Sequence, residues 1–245
     1  MKKILVTGGM SGLGKEISFL AVSRGYAVDI LDISEGELGD SKLPKNIKYI
    51  HSDISKIDQD TIKKLAESYE TVICNAGISL SGNFLEHDLQ ANSKLMQINT
   101  LGHIELIRLL LKNNKISEGG HIGCIASASE MLPFPIALGY AASKGALRAF
   151  ADSLRSYLTG RKISVSTVFP GPMPTAHVKY YGKEVSHDKK SEKKVQKIAK
   201  NIFNGITKGR TNIYPDFVSK TLAWFPLPRF VLDRIMYKAY KKDIS

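Results

Sequence analysis

Tyr140 and Lys144 stand four residues apart in Tyr140-Ala141-Ala142-Ser143-Lys144, and Ser127 lies thirteen residues upstream of the tyrosine. On a helix this interval puts phenol and ammonium on one face, a turn apart. A cation held beside a phenol favours phenolate and lowers its pKa, which makes the tyrosine a proton donor or acceptor near neutrality. Ser127 follows an apolar run, His121 to Ala126, that reads as a strand. Its hydroxyl is placed to hold a substrate oxygen close to Tyr140. By itself, a tyrosine and a lysine at helical spacing is equally a solvated face. The elements around the pair decide between the two.

The first of these elements is a short apolar strand, Lys3 to Thr7, leading into Gly8-Gly9-Met10-Ser11-Gly12-Leu13-Gly14. A helix follows with Ile17, Leu20 and Ala21 at core spacing and stops near Gly25. Strand, glycine turn and helix form the context of a dinucleotide site. Gly8, Gly12 and Gly14 permit unusual dihedrals and let a pyrophosphate approach the backbone and the helix N-terminus. The second strand, Ala27 to Leu31, ends at Asp32, eighteen residues after Gly14. A carboxylate there can accept both hydroxyls of an adenosine ribose, and it repels a 2′-phosphate. As a turn or cap residue it would do neither.

Further strands are expected at Asn46–His51, Thr71–Cys74, the run before Ser127, Arg161–Phe169 and about Arg210–Tyr214. Helices are expected from about Asp88 to Asn113, over Tyr140–Tyr157 and around Ser191–Phe203. Residues 34–46 read as a polar loop or short helix. Leu101, Ile104, Ile107, Arg108 and Leu111 form an amphipathic stripe wide enough for a core contact and an oligomer face. Asn99 lies inside that helix, an unfavourable interior residue unless its side chain is used. Pro170-Gly171-Pro172-Met173-Pro174-Thr175 makes a stiff exit from the sixth strand.

The glycine turn in its Gly-x-x-x-Gly-x-Gly form, Asn75-Ala76-Gly77, Asn99, Ser127 and the Tyr140–Lys144 pair occur together, in order. In this the chain resembles the short-chain dehydrogenase/reductase family, closely over residues 1 to about 175 and loosely beyond. The resemblance implies a single-domain α/β fold, a doubly wound, mostly parallel seven-stranded sheet with helices on both faces. It implies that Gly8, Ser11, Gly12, Leu13, Gly14 and Asp32 bind a nicotinamide dinucleotide. Asp53 would contact the adenine amino group with the Ile54 backbone beside it, although Asp53 also reads as a helix N-cap. Asn75, Ala76 and Gly77 would lie against a cofactor ribose, and Pro170, Gly171 and Thr175 against the nicotinamide and its carboxamide. Lys144 would also hold the nicotinamide ribose, and Asn99 would hold a water in a proton relay. Relatives that prefer NADP usually carry a basic residue just before the second glycine or after the second strand. Ser11 and Ile33 occupy those places here, so NAD is favoured over NADP. Relatives also pair through the Tyr140 helix and the long helix before it, so a homodimer or homotetramer is expected.

The 245 residues suit one globular domain with a sizeable core. Cys74 and Cys124 both fall in apolar strands and read as small core residues in a reducing cytosol, with neither a disulfide nor a metal implied. His51, His177 and His187 read as strand or surface residues, since no second ligand pattern accompanies them. The apolar run after Met1-Lys2-Lys3 is too short for a signal core, and no segment is expected to span a bilayer.

The net charge of +12 is uneven: residues 1–175 hold 19 Lys/Arg against 17 Asp/Glu, and residues 176–245 hold 16 against 6. Two segments carry that excess. A polar, basic stretch at about 176–205 occupies the place of a variable substrate-covering segment. Residues 215–245 then form a basic amphipathic extension beyond a body of 1–214. It suits packing on the body or a partner subunit, or peripheral contact with an anionic membrane. No nucleic-acid motif accompanies it.

The reaction expected is hydride transfer between NAD(H) and a secondary alcohol or ketone, served by Asn99, Ser127, Tyr140 and Lys144. Met131, Leu132, Phe134, Met173, Tyr180 and Tyr181 suggest a hydrophobic small-molecule substrate. The alternatives are a membrane-associated lipid or acyl ketone reductase and a non-catalytic dinucleotide-sensing scaffold.

Overall fold

The computed structural model describes residues 1–34, 43–173, 189–225 and 227–244. Seven strands run in chain order: β1 (Lys3–Thr7), β2 (Ala27–Asp32), β3 (Ile47–His51), β4 (Tyr69–Cys74), β5 (Ile116–Ile125), β6 (Ser164–Val168) and β7 (Asn212–Ile213). They form one sheet in the order β3-β2-β1-β4-β5-β6-β7, and every pairing is parallel. The helices are α1 (Gly12–Ser23), α2 (Gln59–Lys64), α3 (Leu89–Met96), α4 (Gly102–Lys112), α5 (Leu138–Tyr157), α6 (Lys189–Ile206), α7 (Phe217–Trp224) and α8 (Arg229–Ile244).

Alternation along the central strands sorts the core into two layers. Leu5, Val72, Cys74, Ile122, Cys124 and Val165 face one way, against Leu106 and Leu110 of α4 and Leu147, Ala151 and Leu154 of α5. Ile4, Val6, Ile73, Ile125 and Val168 face the other way, against α1 and α6 through Ile17, Ala21, Ile198 and Ile202. The doubly wound sheet expected from the sequence is therefore present. Cys74 and Cys124 are register partners on neighbouring strands, both buried and free.

Strand order reverses between β1 and β4, and a crevice opens beyond their carboxyl ends, where ligands bind in such sheets. The glycine turn leaves β1 at this place, and Asn75-Ala76-Gly77 leaves β4.

Two expectations are corrected. β6 and β7 are shorter than expected, and β6 starts late because residues 159–161 form a 3-10 turn and Lys162 sits in the left-handed region at φ 54°. The helix expected near Lys56 divides into a 3-10 turn, Ile54–Lys56, and α2. The buried face of α4 is Gly102, His103, Leu106, Ile107, Leu109 and Leu110, while Leu101 and Arg108 are exposed. Ile107 thus lies on the core side of the expected stripe, and Leu101 and Arg108 lie on the outer side left for an oligomer contact.

Candidate functional site

The glycine turn is built for close approach. Gly8 has φ +64° and Gly12 φ +50°, a region that favours glycine. A Cβ on Gly14 would lie 2.1 Å from the Gly8 carbonyl oxygen and 2.5 Å from Asn75 Nδ2, and one on Gly8 would lie 2.8 Å from Ala76 Cα. Ser11 precedes α1 in an extended conformation without a side-chain cap, so its hydroxyl does not close the helix N-terminus. Asn75 Nδ2 donates to the Thr7 and Gly8 carbonyls, both at 3.0 Å, and fastens the two turns together. The Asp32 carboxylate accepts from Met10 N at 2.9 Å and from Ser34 N at 3.2 Å, which sets it against the glycine turn. Asp53 caps the Ile54–Lys56 turn, accepting from Ser55 N at 2.9 Å and Ser55 Oγ at 2.7 Å. Its N-cap reading is thus seen directly. The glycine cradle and the uncapped helix end fit a dinucleotide pyrophosphate.

On the other side of the crevice, α5 carries Tyr140 and Lys144. Lys144 Nζ lies 5.9 Å from the centre of the Tyr140 ring and donates to the Ile125 carbonyl at 2.8 Å. The lysine is 4% exposed, and burial draws its pKa down to about 8. A Cβ on Gly77 would sit 3.4 Å from Lys144 Nζ and 3.1 Å from Asn99 Oδ1, so lysine, asparagine and the β4 turn converge on one point. Ser127 Oγ accepts from Ser129 N at 3.1 Å and Ser129 Oγ at 2.9 Å. With both lone pairs engaged, its own hydrogen is available to a substrate oxygen.

Asn99 lies in a π-helical turn, Gln97–Leu101, between α3 and α4, recognisable by the Gly102 N–H bond to the Gln97 carbonyl five residues back. Its side chain is wholly buried and fully used. Oδ1 accepts from Ile78 N at 2.8 Å, while Nδ2 donates to Ile78 O at 2.9 Å and Ser143 Oγ at 3.0 Å. Ser143 Oγ in turn donates to the Tyr140 carbonyl at 2.8 Å. The sequence points to Asn99 but carries no signal for Ser143, a small residue inside the Tyr140–Lys144 interval. It also missed Thr7, whose hydroxyl accepts from Asn75 N and Ala76 N, both at 2.9 Å.

Gly171 N donates to Asp216 Oδ2 at 2.8 Å, and Asp216 also caps α7. The exit from β6 is thereby tied to the C-terminal extension, a contact no local motif announces. Pro170 and Gly171 lie beside the crevice, and Ala128 N donates to the Pro170 carbonyl at 2.9 Å. Thr175 lies outside the described residues, as do His177, Tyr180, Tyr181 and His187.

Beside α5 runs a groove of about 400 Å³ lined by Leu132, Pro133, Phe134 and Leu138, with Glu130 and Arg229 at its polar margin. Phe134 meets Tyr240 of α8 edge-on, with ring centres 5.1 Å apart. Glu130 is 4% exposed, 3.2 Å from Arg148, and burial raises its carboxyl to about 7. The unfolded chain releases this proton near the ordinary 4.5 while the folded chain keeps it to about 7. Stability therefore falls as pH rises between those values and is flat above them. Glu130→Gln should remove that slope and, above pH 7, stabilise the chain by about 2 kcal/mol in denaturant melts. An unchanged slope would show that Glu130 is an ordinary carboxylate.

The short chain dehydrogenase family model matches residues 2–186. The chain belongs to this family. A 3-ketodihydrosphingosine reductase of Dictyostelium discoideum is 27% identical, over 91% of this chain and 77% of that protein. Against three animal dehydrogenase/reductase proteins of the SDR family 7 type, the chain spans only 58%, 58% and 61% of their length. A short chain dehydrogenase/reductase of Burkholderia phymatum, solved with NAD, has the same fold, with a TM-score of 0.77 at 19% identity over 100% of this chain and 95% of that one. A Burkholderia cenocepacia short chain dehydrogenase, solved with NADP, overlays with a TM-score of 0.73 at 20% identity, over 100% of each chain. Membership carries with it an oxidoreductase ancestry and a nicotinamide cofactor. It does not choose between NAD and NADP.

Proposed function

We propose that this short-chain dehydrogenase transfers a hydride between NAD(H) and a secondary alcohol or ketone of a hydrophobic small molecule. One observation carries the reading: a buried lysine is fixed to the Ile125 carbonyl beside the Tyr140 ring, at the switch point of the sheet. A buried ammonium is costly, and nothing in the packing of α5 requires one. A dinucleotide-sensing scaffold could use the lysine to hold a ribose, but it has no chemical need for Ser127, Tyr140 and Lys144 together.

Gly8, Ser11, Gly12, Leu13 and Gly14 would hold the pyrophosphate, Asp32 the adenosine ribose, Asp53 and Ile54 the adenine. Asn75, Ala76, Gly77, Lys144, Pro170, Gly171 and Thr175 would hold the nicotinamide half. Bound NAD supplies the hydride acceptor at nicotinamide C4. In the oxidising direction Tyr140, as phenolate, takes the proton of the substrate hydroxyl. The Lys144 ammonium favours that phenolate and, with its N–H bonds not given to Ile125, reaches the nicotinamide ribose. Ser127 donates its hydrogen to the substrate oxygen and orients it. Asn99 braces the Ile78 backbone and, through Ser143, the turn of α5 that carries Tyr140. NAD+ and NADP+ reduction measured against a panel of secondary alcohols tests the reading. Turnover with long-chain apolar alcohols and NAD+ is expected, and silence across the panel with both cofactors would contradict it.

A second copy is expected to pack on α5, where Ala142 and Ala149 are exposed; Leu101 is also exposed on the π turn, which bonds to α5 through Thr100 Oγ1 and the Ser143 carbonyl. Sedimentation as a monomer at micromolar concentration would oppose a homodimer or homotetramer.

A membrane-associated lipid ketone reductase is the second reading, and the C-terminal extension favours it. Trp224, Phe225 and Phe230 are 75%, 73% and 75% exposed, with Leu227 between them and Lys220 and Arg229 alongside. So dense an apolar surface calls for a partner, and aromatic side chains beside cations suit the headgroup region of an anionic bilayer. The Dictyostelium relative, a 3-ketodihydrosphingosine reductase, points the same way. Among the described residues no helix is long and apolar enough to cross a membrane. The full chain should co-sediment with phosphatidylserine vesicles and not with neutral ones. Replacing Trp224, Phe225 and Phe230 by serine should weaken this at least about tenfold. Equal binding by parent and variant would discard the membrane reading.

A further inference from the structure

His103 is completely buried on the core face of α4, and the chemistry proposed above does not use it. Its Nδ1 lies 3.2 Å from the Asn99 carbonyl oxygen and its Nε2 lies 3.1 Å from Thr7 Oγ1. Burial first, and then the nearby Lys144 charge, depress its pKa to about 3, so the ring is neutral and carries one hydrogen. A carbonyl can only accept, so that hydrogen is on Nδ1. Nε2 is then an acceptor and needs a donor. Thr7 Oγ1 already accepts from Asn75 N and Ala76 N, which leaves it free to give its own hydrogen. The Ile73 carbonyl at 3.4 Å competes for it, but the ring nitrogen is nearer, and among the described residues no other donor meets it. The chain of bonds therefore has a single direction: Asn75 and Ala76 N–H to Thr7, Thr7 O–H to His103, His103 Nδ1–H to Asn99.

We propose that His103 is a positioning residue which, held as the Nδ1–H tautomer, locks the π turn carrying Asn99 to the β1 and β4 turns on which the dinucleotide rests. The effect on turnover rests on the function proposed above; the tautomer does not. The two ends of the ring are unequal. Without His103, Thr7 still has the Ile73 carbonyl as an acceptor and still receives Asn75 and Ala76, so the dinucleotide cradle survives. The Asn99 carbonyl instead loses a buried donor at the point where the helix departs from its regular path.

The test compares His103→Leu with His103→Asn, which have nearly the same shape; the asparagine amide can stand in for Nδ1–H. His103→Leu should lower kcat about tenfold with NADH affinity, read by fluorescence titration, kept within about twofold. His103→Asn should recover most of the loss. A purely structural role predicts that both variants lose melting temperature, with kcat per NADH-binding site unchanged, and that result would overturn the proposal. So would equal kcat in the two variants. Nitrogen-15 NMR of the histidine ring in the full parent chain decides independently of turnover. The Nδ1–H tautomer is expected, and the Nε2–H tautomer would reject the assignment even in a chain that reduces no carbonyl.

Discussion

Tyr140→Phe should bind NADH as tightly as the parent chain and lose about 10²–10⁴-fold in kcat. The substitution removes one oxygen and keeps the ring. Two bonds that fix this part of α5 belong to other atoms: Ser143 Oγ donates to the Tyr140 backbone carbonyl, and Lys144 is held by Ile125. Neither depends on the phenol. Fold and cofactor site should therefore persist while proton transfer fails, so fluorescence titration and steady-state turnover should part company. Turnover within a few-fold of the parent would assign the proton transfer to another group.

Asp32 controls the second large effect. Its carboxylate sits against Met10 N and Ser34 N, at the end of β2, where the adenosine ribose is proposed to lie. Asp32→Asn keeps an oxygen for the Met10 bond and discards the charge, which separates the anchoring of the glycine turn from electrostatic selection. The ratio of kcat/KM for NAD+ to that for NADP+ should fall about 10–100-fold, as a charge-assisted acceptor is lost and repulsion of a 2′-phosphate is relieved. Asp32→Ala should shift the ratio as far and also lower affinity for both cofactors, because Met10 loses its partner. An unmoved ratio in both variants would mean that Asp32 is only a turn residue.

The sheet was legible because its information is local and periodic. Apolar strands such as Lys3–Thr7 and Ala27–Leu31 end at glycine or aspartate, and α1 and α5 show their faces at helical spacing. Tyr140, Lys144, Ser127 and Asn99 were legible because their spacing along the chain matches a family pattern, and the fold does bring Lys144, Asn99 and Gly77 to one point. What stayed hidden depends on contacts between distant segments. His103 belongs to no local motif, and only the packing of distant segments gives it Thr7. Asp216 accepts from Gly171, 45 positions earlier, a bond that no local pattern announces. Burial of one carboxylate in a loop, as at Glu130, leaves no trace in periodicity.

The most direct test follows an isotope. With a secondary alcohol deuterated at its carbinol carbon, stoichiometric deuterium should appear at nicotinamide C4 of the NADH formed, on one face only, as direct hydride transfer beside a proton-accepting Tyr140 requires. Deuterium lost to solvent, or an even mixture of the two faces, would contradict the account.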